Sequence, residues 1–366
     1  MRRSKTTKVK EFITDTFLLN TETAISLYEE FAKDLPVLDF HTHLSSEDIA
    51  NNKQFNSITE LWLDGDHYKW RVMRANGVDE KFCTGDASDK DKFIQWAKTV
   101  PSTLRNPLYH WTHLELKRYF GIEDLLSGDN AEYIYDQCNE MLQSREFSVR
   151  RLLSKANVEV VCTTDDAIDL LNYHSSYSRL KGSLKMYPSF RPDKVLAMGT
   201  FDEFIDWVSE LEKVTYIKIN SFEQLLRALK VRIQFFSSLG CRISDHGLPE
   251  VYGEDFTEEE VNSIFEKLKA GHQVADHEKR KYSSAILYHL SVMYKEAGWV
   301  QQFHVGAIRN NRSKLFQEKG ADVGCDSIHD TNNTEGLSKF LDRLEEATAW
   351  NSYSKYTVMN KDKTDQ

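Results

Sequence analysis

Apolar and polar positions along this chain switch between two periods, and the switching lays out most of the architecture. Over 21–31 the apolar residues Ala24, Ile25, Leu27, Tyr28 and Phe31 recur near every 3.6 positions behind a Thr/Glu-rich start that can cap a helix. Pro36 ends that predicted helix and admits a short apolar run, Val37, Leu38 and Phe40, the first predicted strand. From 45 to 155 the periodicity is helical and rich in aromatics. A connection that long is not a loop inside a compact domain and reads as a helical insertion. Further strands are predicted at 158–163, 185–190, 241–244 and 300–305, separated by helical stretches at 201–211, 222–239 and 283–297. Strand then helix, repeated, is the signature of an α/β fold with a parallel sheet, here a (β/α)8 TIM-type barrel. Closing such a barrel takes about eight strands. Five are well marked and a weaker sixth falls at 356–359, so the barrel is expected to be incomplete at its C-terminal end. The chain shows no internal repeat or low-complexity linker. It is expected to be a single domain, 1–366, with the insertion at 45–155 and an atypical polar, lysine-rich tail at 351–366.

The polar residues at the ends of the predicted strands carry the candidate chemistry. His41 and His43 follow strand one at i, i+2 spacing, and residues two apart on a strand point to the same side. Both imidazoles could then meet one divalent ion at the carboxyl end of a barrel strand, where barrel active sites are built. The alternative is a pair of surface histidines. Arg191 follows a strand and precedes Pro192; its planar fork matches a carboxylate, either on a ligand or on Asp165 or Asp166. His246 and His304 each lie just beyond a strand candidate, facing either the pocket or the core.

Composition narrows the setting. With 366 residues and 40% hydrophobic, the chain can build a substantial core, and a net charge of −10 argues against a nucleic-acid surface. The basic start Met1-Arg2-Arg3 is too short for a secretory signal, and no apolar run approaches the ~20 residues of a membrane span. Cytoplasm is the expected location, with no membrane partner. Five scattered cysteines without CxxC spacing suggest reduced thiols rather than disulfides or a structural zinc site.

Longer motifs carry a family resemblance. Asp39-Phe40-His41-Thr42-His43-Leu44 is followed by Gly65-Asp66-His67-Tyr68-Lys69-Trp70-Arg71 and by Asn106-Pro107-Leu108-Tyr109-His110-Trp111-Thr112-His113. Then come Cys162-Thr163-Thr164-Asp165-Asp166, Pro188-Ser189-Phe190-Arg191-Pro192-Asp193, Ser244-Asp245-His246-Gly247, Phe303-His304-Val305-Gly306-Ala307-Ile308-Arg309 and Gly324-Cys325-Asp326-Ser327-Ile328. Together, from about 17 to about 350, these closely resemble the uronate (glucuronate) isomerases, a divergent branch of the amidohydrolase superfamily.

The resemblance implies a barrel of the metal-dependent hydrolase type whose metal is held by His41 and His43. Zinc is expected there, with iron or manganese as alternatives. It places His67 and Tyr68 against a small-molecule hexuronate, Tyr68 as a candidate proton carrier, and makes Trp111 and His113 walls of the sugar site. Arg191 would clamp the substrate carboxylate, with His246 and His304 as further substrate-binding candidates. The implied reaction is aldose–ketose isomerisation through a cis-enediol, with Tyr68 or a late aspartate as base; a homo-oligomer is an open option. The late Asp-Ser-Arg motif of the family does not occur in this sequence. The chain is therefore expected to lack the family's C-terminal region, and with it one metal ligand and one carboxylate clamp. Two other readings are carried forward: an inactive isomerase-like protein and a metal-dependent hydrolase.

Overall fold

In the computed structural model of the chain, residues 11–180, 182–196, 199–348 and 356–360 are described. Eight strands occur among them: β1 Val37–Asp39, β2 Val158–Asp165, β3 Lys185–Phe190, β4 Ile243–Leu248, β5 Val300–Val305, β6 Ala307–Ile308, β7 Ser327–Ile328 and β8 Tyr356–Asn360. Six form one sheet in the order β1-β2-β3-β4-β5-β8, while β6 and β7 make a separate antiparallel pair. The ladders from β2 to β8 are parallel. Val37 N–H donates to Asn157 O and Thr42 N–H to Cys162 O, so partner positions advance together and β1 is parallel to β2 as well. Helices lie between successive strands of the six-stranded sheet, the α/β order of a TIM-type barrel.

β3 and β5 match their predicted limits. β4 runs from Ile243 to Leu248, well past the predicted 244, because continuous pairing with β5 outweighs the poor strand preference of Asp-His-Gly. The weaker sixth strand expected at 356–359 is β8, Tyr356–Asn360, which pairs with β5 from Gln301↔Tyr356 to Val305↔Asn360. The rest of the predicted tail, 351–355 and 361–366, lies outside the described residues. The predicted helix at 21–31 is α-helical over Glu22–Leu27 and continues as a π-turn over Tyr28–Ala32.

The chain divides into two compact units. One unit comprises the described residues up to Val37, Asn51–Glu159 and Arg312–Cys325. It is helical, built around Trp62, Phe93, Trp96, Leu116, Ile134 and Phe147. Its helix His67–Ala75 is capped by Asp66, whose side chain accepts from Tyr68 N and Lys69 N. Its helix Pro107–Phe120 starts at Asn106 with Pro107 in the first turn and stops at Gly121, whose φ of 68° suits glycine.

The other unit holds Leu38–Ala50, Val160–Asn311 and the described residues from Asp326 on. Helix Phe201–Thr215 begins with a capping box between Thr200 and Glu203 and buries Phe204, Trp207, Val208, Leu211 and Thr215, one stripe at 3.6 spacing. Helices Phe222–Ser238 and Asp276–Glu296 add their buried stripes to the same core.

Candidate active site

Strand phase decides which side chains meet. Asp245 pairs with Gln302 and Gly247 with His304, so these four share one face of the β4–β5 ladder, while Ser244, His246 and Phe303 share the other. On the first face Asp245 is wholly buried; its Oδ1 lies 2.7 Å from His304 Nε2 and its Oδ2 3.8 Å from His41 Nδ1. His41 stands just beyond β1, where the chain is held by Thr42 N–H donating to Cys162 O and Thr164 Oγ1 donating to Thr42 O, both 3.0 Å. The His41 and His304 rings are 4.5 Å apart. One donor atom from each of His41, Asp245 and His304 lies within 4.8 Å of the other two, and among the described residues this is the group able to hold a metal ion. His43 is close, its ring 5.1 Å from that of His41 and nearly perpendicular to it, but outside this three-donor group.

Both carboxylate oxygens of Asp245 and Nε2 of His304 are buried without a well-directed hydrogen bond. Buried polar atoms left in that state are costly. A divalent cation would satisfy all three, and two imidazoles with a carboxylate suit zinc, iron or manganese. Burial pushes the Asp245 carboxyl up, but contact with His304 and the charge of Arg191 outweigh it and hold the group below its ordinary value. His41 is pushed down to about 4, chiefly by burial, with Asp245 opposing and His304, His43 and Arg191 assisting. At neutral pH it is a neutral lone-pair donor.

Arg191 leaves the end of β3 pointing at this group. Its Nε donates to Asp193 Oδ2 at 2.9 Å and its Nη1 lies 3.2 Å from Asp245 Oδ2. Asp193 also accepts from Gly247 N at 2.8 Å and faces His246 Nδ1 at 3.1 Å. Asp193 and Asp245 thus flank Arg191, while Asp166 accepts from Trp207 Nε1 at 2.7 Å and pairs with Lys194 at 3.0 Å. Gly247 leaves the guanidinium room, since a Cβ there would overlap Arg191 Nη2. His246 is wholly buried on the opposite face, between Asp193 and Tyr294 Oη, the geometry of a structural imidazole.

Two clefts open beside these residues. One, of about 330 Å³, is lined by Gly247, Leu248, His304, Ile308, Arg309 and His329. The other, of about 360 Å³, is lined by His43, Glu47, Thr163, Asp165, Asp169 and Tyr173. Both fall in the size range of small-molecule pockets, ~300–1,000 Å³. The remaining predicted site residues belong to the helical unit. His67 and Tyr68 occupy the first turn of their helix with rings 4.4 Å apart, and Tyr68 and Trp111 are exposed. His113 is buried with Nδ1 2.6 Å from Tyr109 O and Nε2 accepting from Leu126 N at 2.9 Å. Backbone engages both its ring nitrogens, so it shapes the helical unit rather than offering a ring atom to a ligand.

Asp165 sits in a buried network at the end of β2. The Thr163 hydroxyl lies 2.7 Å from both Asp165 Oδ2 and His174 Nε2. Burial pushes the Asp165 carboxyl up to about 7, against the Thr163 hydrogen bond, and pushes His174 down to about 4. Because Asp165 holds its proton more tightly folded than unfolded, its contribution to stability is complete below its unfolded value of 3.8 and is lost as pH rises toward 7. Asp165→Asn should therefore stabilise chelator-treated protein at pH 8 by on the order of 2 kcal/mol, and by clearly less at pH 5. Urea unfolding at the two pH values measures this, and an equal effect at both would refute the buried, proton-retaining carboxyl.

A family model described as glucuronate isomerase matches residues 9–365, nearly the whole chain. The chain belongs to the glucuronate isomerase family. The match also runs past residue 350, where the sequence motifs fade. Among family relatives, the uronate isomerase of Bacteroides fragilis is 48% identical over 337 residues, 92% of this chain and 72% of that protein. That of Bacillus pumilus is 48% identical over 354 residues, 97% of this chain and 74% of its own. The crystal structure of a uronate isomerase from Thermotoga maritima superposes with a TM-score of 0.88 at 31% identity, covering 96% of this chain and 75% of that one. The activity of the family is isomerisation of uronates, and these comparisons do not favour the hydrolase reading. The family is metal-dependent in general, consistent with the His41, Asp245 and His304 group. Asp245 is the residue that sequence reasoning passed over. Its motif was visible, but the neighbouring histidine drew attention, and only the phase of β4 shows which of the two faces His41.

Proposed function

We propose that the chain interconverts D-glucuronate with D-fructuronate and D-galacturonate with D-tagaturonate, in the cytoplasm, using one divalent ion. The observation that carries this reading is the juxtaposition, at the carboxyl ends of parallel strands, of a buried imidazole–carboxylate group with an arginine already oriented by a carboxylate of its own. Zinc is the first candidate, with iron or manganese as alternatives, and when bound the ion supplies polarisation of adjacent substrate oxygens. His41, with His43 beside it, and the neighbouring donors would hold it. Arg191 binds the hexuronate carboxylate through its planar fork and sets the sugar's direction, Asp193 keeping the guanidinium fixed before substrate arrives. His304, one of those donors, also lines the cleft beside Gly247, where it would meet a sugar hydroxyl if the ion leaves its ring free. By family resemblance alone, Tyr68, at a helix N-terminus with His67 against its ring, is the candidate base that carries the proton from C2 to C1, and Trp111 a candidate wall of the sugar site.

Purified chain loaded with zinc, iron or manganese in turn and given D-glucuronate should form the ketose, and chelation should stop it. Absence of ketose with every metal would sink the reading. Replacing His41 and His43 together with alanine should remove retained metal while leaving the far-UV circular dichroism unchanged, and full metal retention by that variant would refute the ligand assignment.

A further inference from the structure

We propose that the β6–β7 hairpin forms a hydroxyl-reading wall of the sugar site, in which Arg309 and His329 bind the hydroxyl groups between the reacting end of the hexuronate and its carboxylate; this rests on the isomerase reading above. Two stretches of sequence with no part in the metal group meet in this hairpin. Ala307 pairs with Ile328 and Ile308 with Ser327. Arg309 Nη1 donates to Asp326 Oδ2, and Asp326 Oδ1 accepts from Asn310 N at 3.0 Å. The hairpin is also tied to the end of β4, since Gly306 N–H donates to Leu248 O at 2.9 Å and His329 N–H to Gly306 O at 2.7 Å. Arg309 and His329 are thereby held in place as linings of the same 330 Å³ cleft as Gly247 and His304, all within one compact unit.

The lining suits a hydroxylated carbon chain rather than a second acid group. Leu248, Pro249, Ala307 and Ile308 offer apolar surface to C–H groups, with a few polar side chains set among them, the pattern that orients a small polar ligand. The Arg309–Asp326 pair is balanced in charge, so the guanidinium offers donors without a net positive field. Asp326 engages one of its nitrogens; Nε and Nη2 have no hydrogen-bond partner among the described residues. His329 Nδ1 is buried and likewise without one, a costly state that a ligand hydroxyl relieves, since a neutral imidazole can donate or accept. With Arg191 and the metal group holding the two ends of the hexuronate, the carbons between them are left for this wall.

The test is calorimetric titration of the zinc-loaded full chain with the acid obtained by reducing D-glucuronate at C1, which cannot isomerise, and with its analogues lacking the C3 or the C4 hydroxyl. The parent chain should lose about 10-fold in affinity with either hydroxyl removed. Arg309→Lys keeps a cation for Asp326 but removes the fork, and His329→Phe removes the ring nitrogens. Each should bind the complete acid about 10-fold more weakly than the parent does, and should bind one of the two deoxy analogues within about 2-fold of the complete acid. Such discrimination is a ratio of two ligands on one variant, so partial loss of folded protein does not mimic it, and thermal unfolding checks the fold. If the parent does not distinguish the analogues, or both variants distinguish them as the parent does, the inference is overturned. No binding of the complete acid by the parent would overturn both this inference and the uronate reading. Hydroxyl-specific binding that depends on Arg309, without ketose formed from D-glucuronate, would uphold the wall while refuting isomerisation.

Discussion

Gly247→Ala is expected to cut kcat/KM for hexuronates by about 10- to 100-fold while leaving the melting temperature almost unchanged. The added methyl group would overlap Arg191 Nη2 and come within 3.4 Å of Asp193 Oδ2. What it meets is the far end of a flexible side chain, so the guanidinium moves and β4 does not. Gly247 is not among the residues with positive φ, so alanine brings no backbone strain of its own. A displacement near 1 Å in a positioning group costs roughly 100-fold when the reacting geometry depends on it. Arg191→Lys should show a comparable loss by a different route, because an ammonium cannot make the paired contact with a carboxylate. Steady-state kinetics on both variants, with neutral aldoses as comparison substrates, checks the assignment. If Gly247→Ala behaves as the parent enzyme, Arg191 is structural and the substrate carboxylate binds elsewhere.

The second large effect concerns stability. Phe190, wholly buried on β3, packs its ring 5.0 Å from Phe236, 5.7 Å from Trp299 and 6.0 Å from Tyr294, and Tyr294 stacks on Trp299 at 5.6 Å. Removing that ring leaves a cavity enclosed by other large side chains that cannot collapse into it. Phe190→Ala should cost about 3–5 kcal/mol, and it should also loosen Arg191, the next residue. The exposed Tyr216 makes the contrast, since Tyr216→Ser should change stability by no more than about 0.5 kcal/mol. Urea unfolding followed by fluorescence distinguishes the two. A loss below about 1 kcal/mol at Phe190 would mean that this aromatic cluster repacks freely and is not a rigid support for the arginine.

Much of the frame could be read from periodicity because the residues concerned have one dominant tendency. The strand at 300–305 and the helix beginning at Phe201 fall where apolar spacing puts them. Where local preference and tertiary pairing conflict, the sequence misleads. Asp245, His246 and Gly247 are poor strand formers, yet β5 supplies the hydrogen bonds that make them a strand. That conflict hid the site's buried carboxylate, since phase cannot be assigned to residues taken for a loop. The pair β6–β7 was also illegible, because each strand has two residues and pattern needs more. His41 and Arg191 could be singled out from strand-end position and chemical type alone. Their partners Asp193 and Asp245 could not, because a carboxylate two residues or fifty residues away looks the same until the chain is folded.

Asp193 touches Arg191, His246 and the backbone of Gly247 with a single side chain, and His246 in turn meets Tyr294 in the helix layer. Such an arrangement makes the neighbourhood change as a block. Substitutions at Arg191, Asp193, Gly247 and His246 will not sum, and a variant that takes a neutral sugar will not arise by exchanging the arginine alone, because the buried carboxylate left behind would lose its cation. If Arg191 holds the substrate carboxylate, a shift of substrate class therefore asks for simultaneous replacement of residues just beyond β3 and on β4, a requirement that would shield acid recognition from gradual drift.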